Sequence, residues 1–332
     1  PSHTIMILHS STIIVLTLLG NILLILAVLR SNRIKRRRRI TPVQLLMLHM
    51  CTADISFALL TLFPNLLSTI TSPIFHGPNS LCKFVKYIQV YCIVVPLYAS
   101  PFLLVAISAD RYYAICRPLD SMRMSAYNRP SIYAFIAWTI AFLLSTPQLF
   151  IFYKENNDCI PHYDENWKYV AYVCVFNTAV WLLPSVVAGS LYTCVCRAVW
   201  HSLAIRGTIK VKNKERYSIY LSISVRVRST ELDRRRIQTV KLTLTIVATN
   251  FILWAPFCLI QVIDAIWPSA ISPIFATYIL FFGNLNSCMN PWMWFIFNKD
   301  LLKGANPFYR LPSTKASRTE ITLTERPVSR NS

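Results

Sequence analysis

Asp54 is the only acid in the run from 43 to 71, and Asp110 and Arg111 stand side by side near the end of the run from 82 to 114, in SADRYYAICRPL. Each setting limits the chemistry available. A carboxylate far from water must take a proton or a cation, or be held by hydroxyls and amides. An acid beside a guanidinium at a helix end can anchor that end at an interface, or form an ion pair that opens and closes. Cys82 and Cys159, two of ten cysteines, lie at the ends of such runs rather than inside them. Catalysis has no counterpart here: no Cys/His spacing suits a metal, no Ser/His/Asp set occurs, and six Gly provide no phosphate loop.

The elements that must position these residues are membrane helices. Of 332 residues, 54% are hydrophobic and 14% charged, a balance that excludes a disordered chain and a soluble two-domain enzyme. A bilayer core takes about 20 apolar residues per helix. Seven nearly uncharged runs meet that length, at roughly 4–29, 43–71, 82–114, 130–153, 169–197, 239–266 and 273–298. The expected fold is an all-α membrane protein, a seven-transmembrane helix bundle over 1–298. A short amphipathic eighth helix near 299–305 then opens a cytoplasmic Ser/Thr-rich tail over 299–332. The chain opens on Pro1, and its first run has no basic leader or cleavage site. That helix is expected to be retained, and an extracellular leader to have been lost.

Asp54 lies about eleven residues into its run, which at ~1.5 Å per residue is near the bilayer midplane. Pro184, Pro256 and Pro291 each interrupt a strong helix and mark hinges. Asn284, Asn286, Ser287 and Asn290 are expected to face the level of Asp54.

A net charge of +20 invites a nucleic-acid reading, which the distribution of that charge argues against. Seven basic residues follow the first run, Arg117, Arg123 and Arg129 lie between the third and fourth, ten lie in 199–238 and seven in the tail from Lys299. The alternate loops, near 72–81 and 267–272, have none, and 154–168 has two Lys against four acids. Lys and Arg stay on the cytoplasmic side. The N-terminus is therefore expected outside and the C-terminus inside, with basic runs attracted to anionic lipid. On that topology Cys82 and Cys159 face the oxidising compartment and are expected to form a disulfide, while the other eight cysteines lie in spans or near the cytoplasm.

The ordered motifs resemble a rhodopsin-like (family A) G-protein-coupled receptor over nearly the whole chain. They are Gly20-Asn21, Thr52 to Asp54, the Cys82/Cys159 pair, Asp110-Arg111-Tyr112, Trp138, Pro184 with Tyr192, Trp254 to Phe257 and Asn290-Pro291. FVKYIQV, DRYYAICRPL, STPQLFIF, RRRIQTVKLTLTIV, WAPFCLIQ and LNSCMNPW are similar to vasopressin/oxytocin-type receptors. The resemblance implies a buried sodium pocket of Asp54, Ser100, Asn286 and Asn290. It implies that Arg111 swings to receive a G protein, with Asp110, Tyr112, Tyr192, Pro256 and Pro291 forming the rest of the switch. Lys86, Gln89, Gln148 and Gln261 would line a peptide cavity above a floor of Trp254 and Phe257. Amides suit a peptide because they both donate and accept without burying charge. The expected partners are an extracellular peptide, a heterotrimeric G protein, arrestin, a receptor kinase and membrane lipid; no cofactor, nucleic acid or catalytic residue is implied.

The departures from the family are specific. Trp294 replaces the tyrosine of NPxxY, Thr61 and Asn65 replace glutamines, and Cys258 replaces an aromatic. The third run carries about four extra residues at YCIVVPLYASP, including Pro96 and Pro101. No acid stands at Gln89 or Ile93 for an amine, and Asn284 holds the place of an opsin's lysine. A receptor for another neuropeptide and a non-signalling decoy remain as alternatives. A seven-span transporter or proton channel would need internal repeats and several midplane charges, which are not seen. The base of the sixth run offers Arg234, Arg235, Arg236 and Lys241, with no acid at the facing Arg236 to lock it to the third there.

Overall fold

The computed structural model describes residues 3–34, 40–71, 79–118, 120, 128–147, 152–155, 158–161, 165–212, 219–268 and 270–298. Seven helical spans account for nearly all of them. Span one is His3–Ile34, and span two runs through Pro42–Phe57, a wide π turn at Ala58–Leu62, and Phe63–Thr71. Span three is Asn79–Cys116 and span four Asn128–Ser145. Span five combines Asn166–Asn177, a second π turn at Thr178–Leu182, and Leu183–Lys212; spans six and seven are Ile219–Ile266 and Pro273–Phe297.

The starts and irregularities follow from local chemistry. Thr41 caps span two: its hydroxyl accepts from the Gln44 amide, the Gln44 side chain accepts from the Thr41 amide, and Pro42 occupies the first turn. At span seven the Ser272 hydroxyl accepts from the Phe275 amide and Pro273 occupies the first turn. Each π turn ends two residues before a proline, Pro64 or Pro184, whose missing N–H disturbs the regular ladder and is absorbed by the wider turn. Span four ends at Ser145, ahead of Pro147, and Phe152–Glu155 (β1) pairs antiparallel with Asp158–Pro161 (β2). The expected run of 130–153 is corrected here, because the restricted residue before a proline stops the helix. A hairpin thus joins the otherwise helical fold, packed against span three.

The core is built for close approach of helices. Ala53, Ala99, Ala141 and Ala188 are fully buried between spans, beside Leu46, Leu103, Ile107 and Tyr192. Bulky apolar side chains such as Phe135, Leu143 and Ile296 face outward, an arrangement suited to lipid. Gly20 is required where span one crosses span seven, since a Cβ there would come within 2.7 Å of Pro291 Cγ. Five helices among the described residues are long and apolar enough to cross a bilayer on composition alone. Span seven buries Asn286, Ser287 and Asn290, which contribute to the midplane cluster. The eighth helix and the tail from Lys299 lie outside the described residues.

Candidate functional site

Three polar layers cross the bundle. The middle one centres on Asp54, whose side chain is 1% exposed in span two. Asn290 of span seven donates to its Oδ2 at 3.0 Å, and the hydroxyls of Ser287 and Ser100 lie near the carboxylate. Ser100 therefore faces Asp54 despite the additional residues and prolines of span three, which continues as one helix through Pro96 and Pro101. Asn286 is placed differently from expectation. Its amide donates to Asn250 Oδ1 of span six at 3.1 Å, so it links spans six and seven instead of holding the acid. Asn21 reaches across from span one to the Ser287 carbonyl at 3.4 Å.

The unpartnered buried acceptors of this layer are all oxygens: Asp54 Oδ1, Asn21 Oδ1 and Asn286 Oδ1. Leaving such atoms bare is costly, and an oxygen-only donor set with one carboxylate fits a hard monovalent cation better than a soft metal. Among the described residues no group of three His, Cys, Asp or Glu is arranged around a metal.

The second layer lies at the basic-loop end of span three. Asp110 is fully buried, and both of its oxygens are used. Arg111 Nη2 donates to Oδ2, while Arg129, from the first turn of span four, donates to Oδ1 through Nη2 at 2.9 Å and Nε at 3.3 Å. The Arg129 guanidinium also lies over the Tyr113 ring, 5.7 Å from its centroid. Arg129 was expected in a loop, but it is 3% exposed and belongs to the helix. Its signal was a cation directly before an uncharged run, at the level of a buried acid. Tyr192 of span five is buried with its hydroxyl near Thr243 and Arg111. Tyr112 stacks edge-on against Tyr113 and accepts from Arg117; that bond, with Asp120 3.7 Å away, raises the Arg117 pKa beyond the end of the span. Gln238 donates to the Phe297 carbonyl, tying the feet of spans six and seven. Trp294 is buried with its indole N–H unpartnered.

The third layer lies toward the hairpin. Trp254 and Phe257 meet edge to face, 5.7 Å apart, and Pro256 sits between them in an unbroken span six. Asn177 of span five, which the sequence did not single out, donates to Gln261 of span six at 3.4 Å and keeps a buried, unpartnered Oδ1. Lys86, Gln89 and Cys82 are on the first turns of span three and Cys159 is on β2, but their side chains, like Gln148, lie outside the described residues. Trp138 donates to His49 at 3.4 Å, fastening span four to span two.

The sequence matches the family described as 7 transmembrane receptor (rhodopsin family) over residues 20–294. It is 56% identical to nematocin receptor 1 of Caenorhabditis elegans over 317 residues, covering 92% of this chain and 83% of that receptor. It is 43% identical to nematocin receptor 2 of the same organism, covering 96% and 81%, and 33% identical to the mouse vasopressin V1b receptor, covering 88% and 72%. The chain belongs to the rhodopsin family of seven-transmembrane receptors. It is a multi-pass membrane receptor and not an enzyme.

Proposed function

From this membership we propose that the chain is a plasma-membrane receptor for an extracellular neuropeptide of the vasopressin/oxytocin kind and that it activates a heterotrimeric G protein. The N-terminus is outside and the C-terminus cytoplasmic, as the basic loops require. The observation that carries the ligand class is the similarity over most of both chains to receptors named for nematocin and vasopressin. The outer layer supports it, since Asn177, Gln261 and the Trp254–Phe257 pair combine amides with an aromatic floor. Lys86, Gln89 and Gln148 complete that cavity in this reading.

The mechanism is a population shift. Peptide contacts favour a state in which span six swings outward at Pro256, with Pro291 as the second flexible point. Arg111 leaves Asp110 and turns toward the opened cleft, where Tyr192 is near enough to receive it. Asp54, Ser100 and Asn290 would hold a sodium ion in the resting state, with Asn286 nearby, and the ion would balance the Asp54 charge and favour the closed bundle. The Cys82–Cys159 bridge pins the hairpin over the cavity. Phosphorylation of the Ser/Thr-rich tail by a receptor kinase recruits arrestin, and Lys299, Lys303 and Phe308 attract the segment after span seven to lipid. Residues 1–298 form the receptor domain and 299–332 the regulatory tail.

Ligand-stimulated nucleotide exchange with a panel of vasopressin/oxytocin-type peptides tests the reading. Saturable stimulation is expected. Binding without exchange would make the chain a decoy, and stimulation only by unrelated peptides would remove the ligand assignment.

A further inference from the structure

Two guanidiniums share the Asp110 carboxylate, and they are not equivalent. Arg111 makes one bond to it, its side chain is 18% exposed, and its Nε is buried without a partner. Arg129 makes two bonds to the other oxygen, is nearly inaccessible, and is further held over Tyr113. If a bundle of this kind opens, Arg111 is the one free to go. Its departure would strip a buried carboxylate of its only counter-ion among the described residues if Arg129 were absent. An uncompensated buried charge is among the most costly groups in a protein, more so near hydrocarbon.

We infer that Arg129 is a positioning residue for the signalling step: it stays on Asp110 as a fixed counter-ion and thereby makes the release of Arg111 inexpensive. The inference rests on the reading of Arg111 as the coupling switch. It also changes what the ion pair means. A carboxylate serving Arg111 alone would lock the resting state tightly, whereas one already compensated by Arg129 holds Arg111 only in part. Removing Arg129 therefore strengthens the Asp110–Arg111 pair and disfavours the signalling state, the opposite of simply loosening the bundle.

The test is nucleotide exchange per surface receptor for Arg129→Gln, Asp110→Asn, the double variant and Arg111→Ala. Arg129→Gln is expected to lower basal and peptide-stimulated exchange by about tenfold, equivalent to ~1.4 kcal/mol of added cost. In the Asp110→Asn background the same change should have no effect, because no carboxylate is left to strand. Should Arg129→Gln fail to reach the surface, Arg129→Lys gives the same comparison: it keeps the charge but loses the paired N–H geometry, and a loss of about threefold is expected, again absent with Asp110→Asn. Unchanged exchange per receptor in whichever variant reaches the surface overturns the inference, as does a loss that persists with Asp110→Asn. If Arg111→Ala leaves coupling intact, the switch reading itself fails. A silent Arg129→Gln beside an uncoupled Arg111→Ala sinks only the role of Arg129.

Discussion

Asp54 and Asp110 are both buried carboxylates on helices that pack together, yet their surroundings differ in kind. Asp54 accepts from an amide and lies near two hydroxyls, with one oxygen unpartnered. Asp110 is held by two guanidiniums, with both oxygens used. Neutral partners leave a charge to be balanced by something small and exchangeable, so the midplane layer is suited to an ion that comes and goes. Fixed cations balance the charge within the protein, so the layer near the basic loops is suited to exchange between side chains. In the proposed mechanism one fold thus carries two acids that respond to different events, one to the ionic medium and the other to movement of span six.

The largest effect should come from removing the mobile partner of Asp110. Arg111→Ala is expected to reduce peptide-stimulated exchange to background while peptide binding to the surface receptor persists; retained exchange would mean that the pair is only an interfacial anchor. Next is the comparison of the two acids themselves. Asp110→Asn should raise basal exchange by about tenfold, equivalent to ~1.4 kcal/mol, because Arg111 loses its resting partner. Asp54→Asn should instead abolish the influence of sodium on peptide affinity, measured by radioligand competition with and without the ion. Sodium sensitivity should be intact in Asp110→Asn. A loss of sodium sensitivity in both variants would erase the distinction.

Smaller effects sharpen the midplane assignment. Asn290→Ala removes the 3.0 Å bond to Asp54 and should weaken the sodium effect severalfold, whereas Asn250→Ala breaks only the link to Asn286 and should alter it by about twofold or less. Equal responses would place Asn286 in the sodium shell after all. The least change is expected from truncation after Lys303, which should leave exchange as it is and slow desensitisation and internalisation.

Much of this was legible in the residue pattern because the bilayer makes burial and charge easy to read. Uncharged runs mark apolar helices, and Asp54 stands out as a lone acid, with Asn290 3.0 Å from it across the bundle. What periodicity does not encode is which side chain turns toward which across helices. Arg129 looked like one of many loop cations, and only packing of span four on span three brings it to Asp110, 19 positions away. Asn177 was hidden similarly, since its role depends on the π turn beginning at the next residue and on Gln261 in span six. Asn286 was assigned to the acid by the family resemblance; it lies one turn before Asn290 on the same face, but its amide donates to Asn250. The hairpin was missed because a polar loop leaves no apolar stripe to reveal a two-stranded pairing.

The most direct test of the account is guanine-nucleotide exchange on a reconstituted G protein, measured with the purified full chain and a vasopressin/oxytocin-type peptide, in the wild type and in Arg111→Ala. The account predicts saturable stimulation in the wild type and none in the variant, although both bind the peptide. Stimulation that survives in Arg111→Ala, or a wild-type chain that binds the peptide and stimulates nothing, would contradict it.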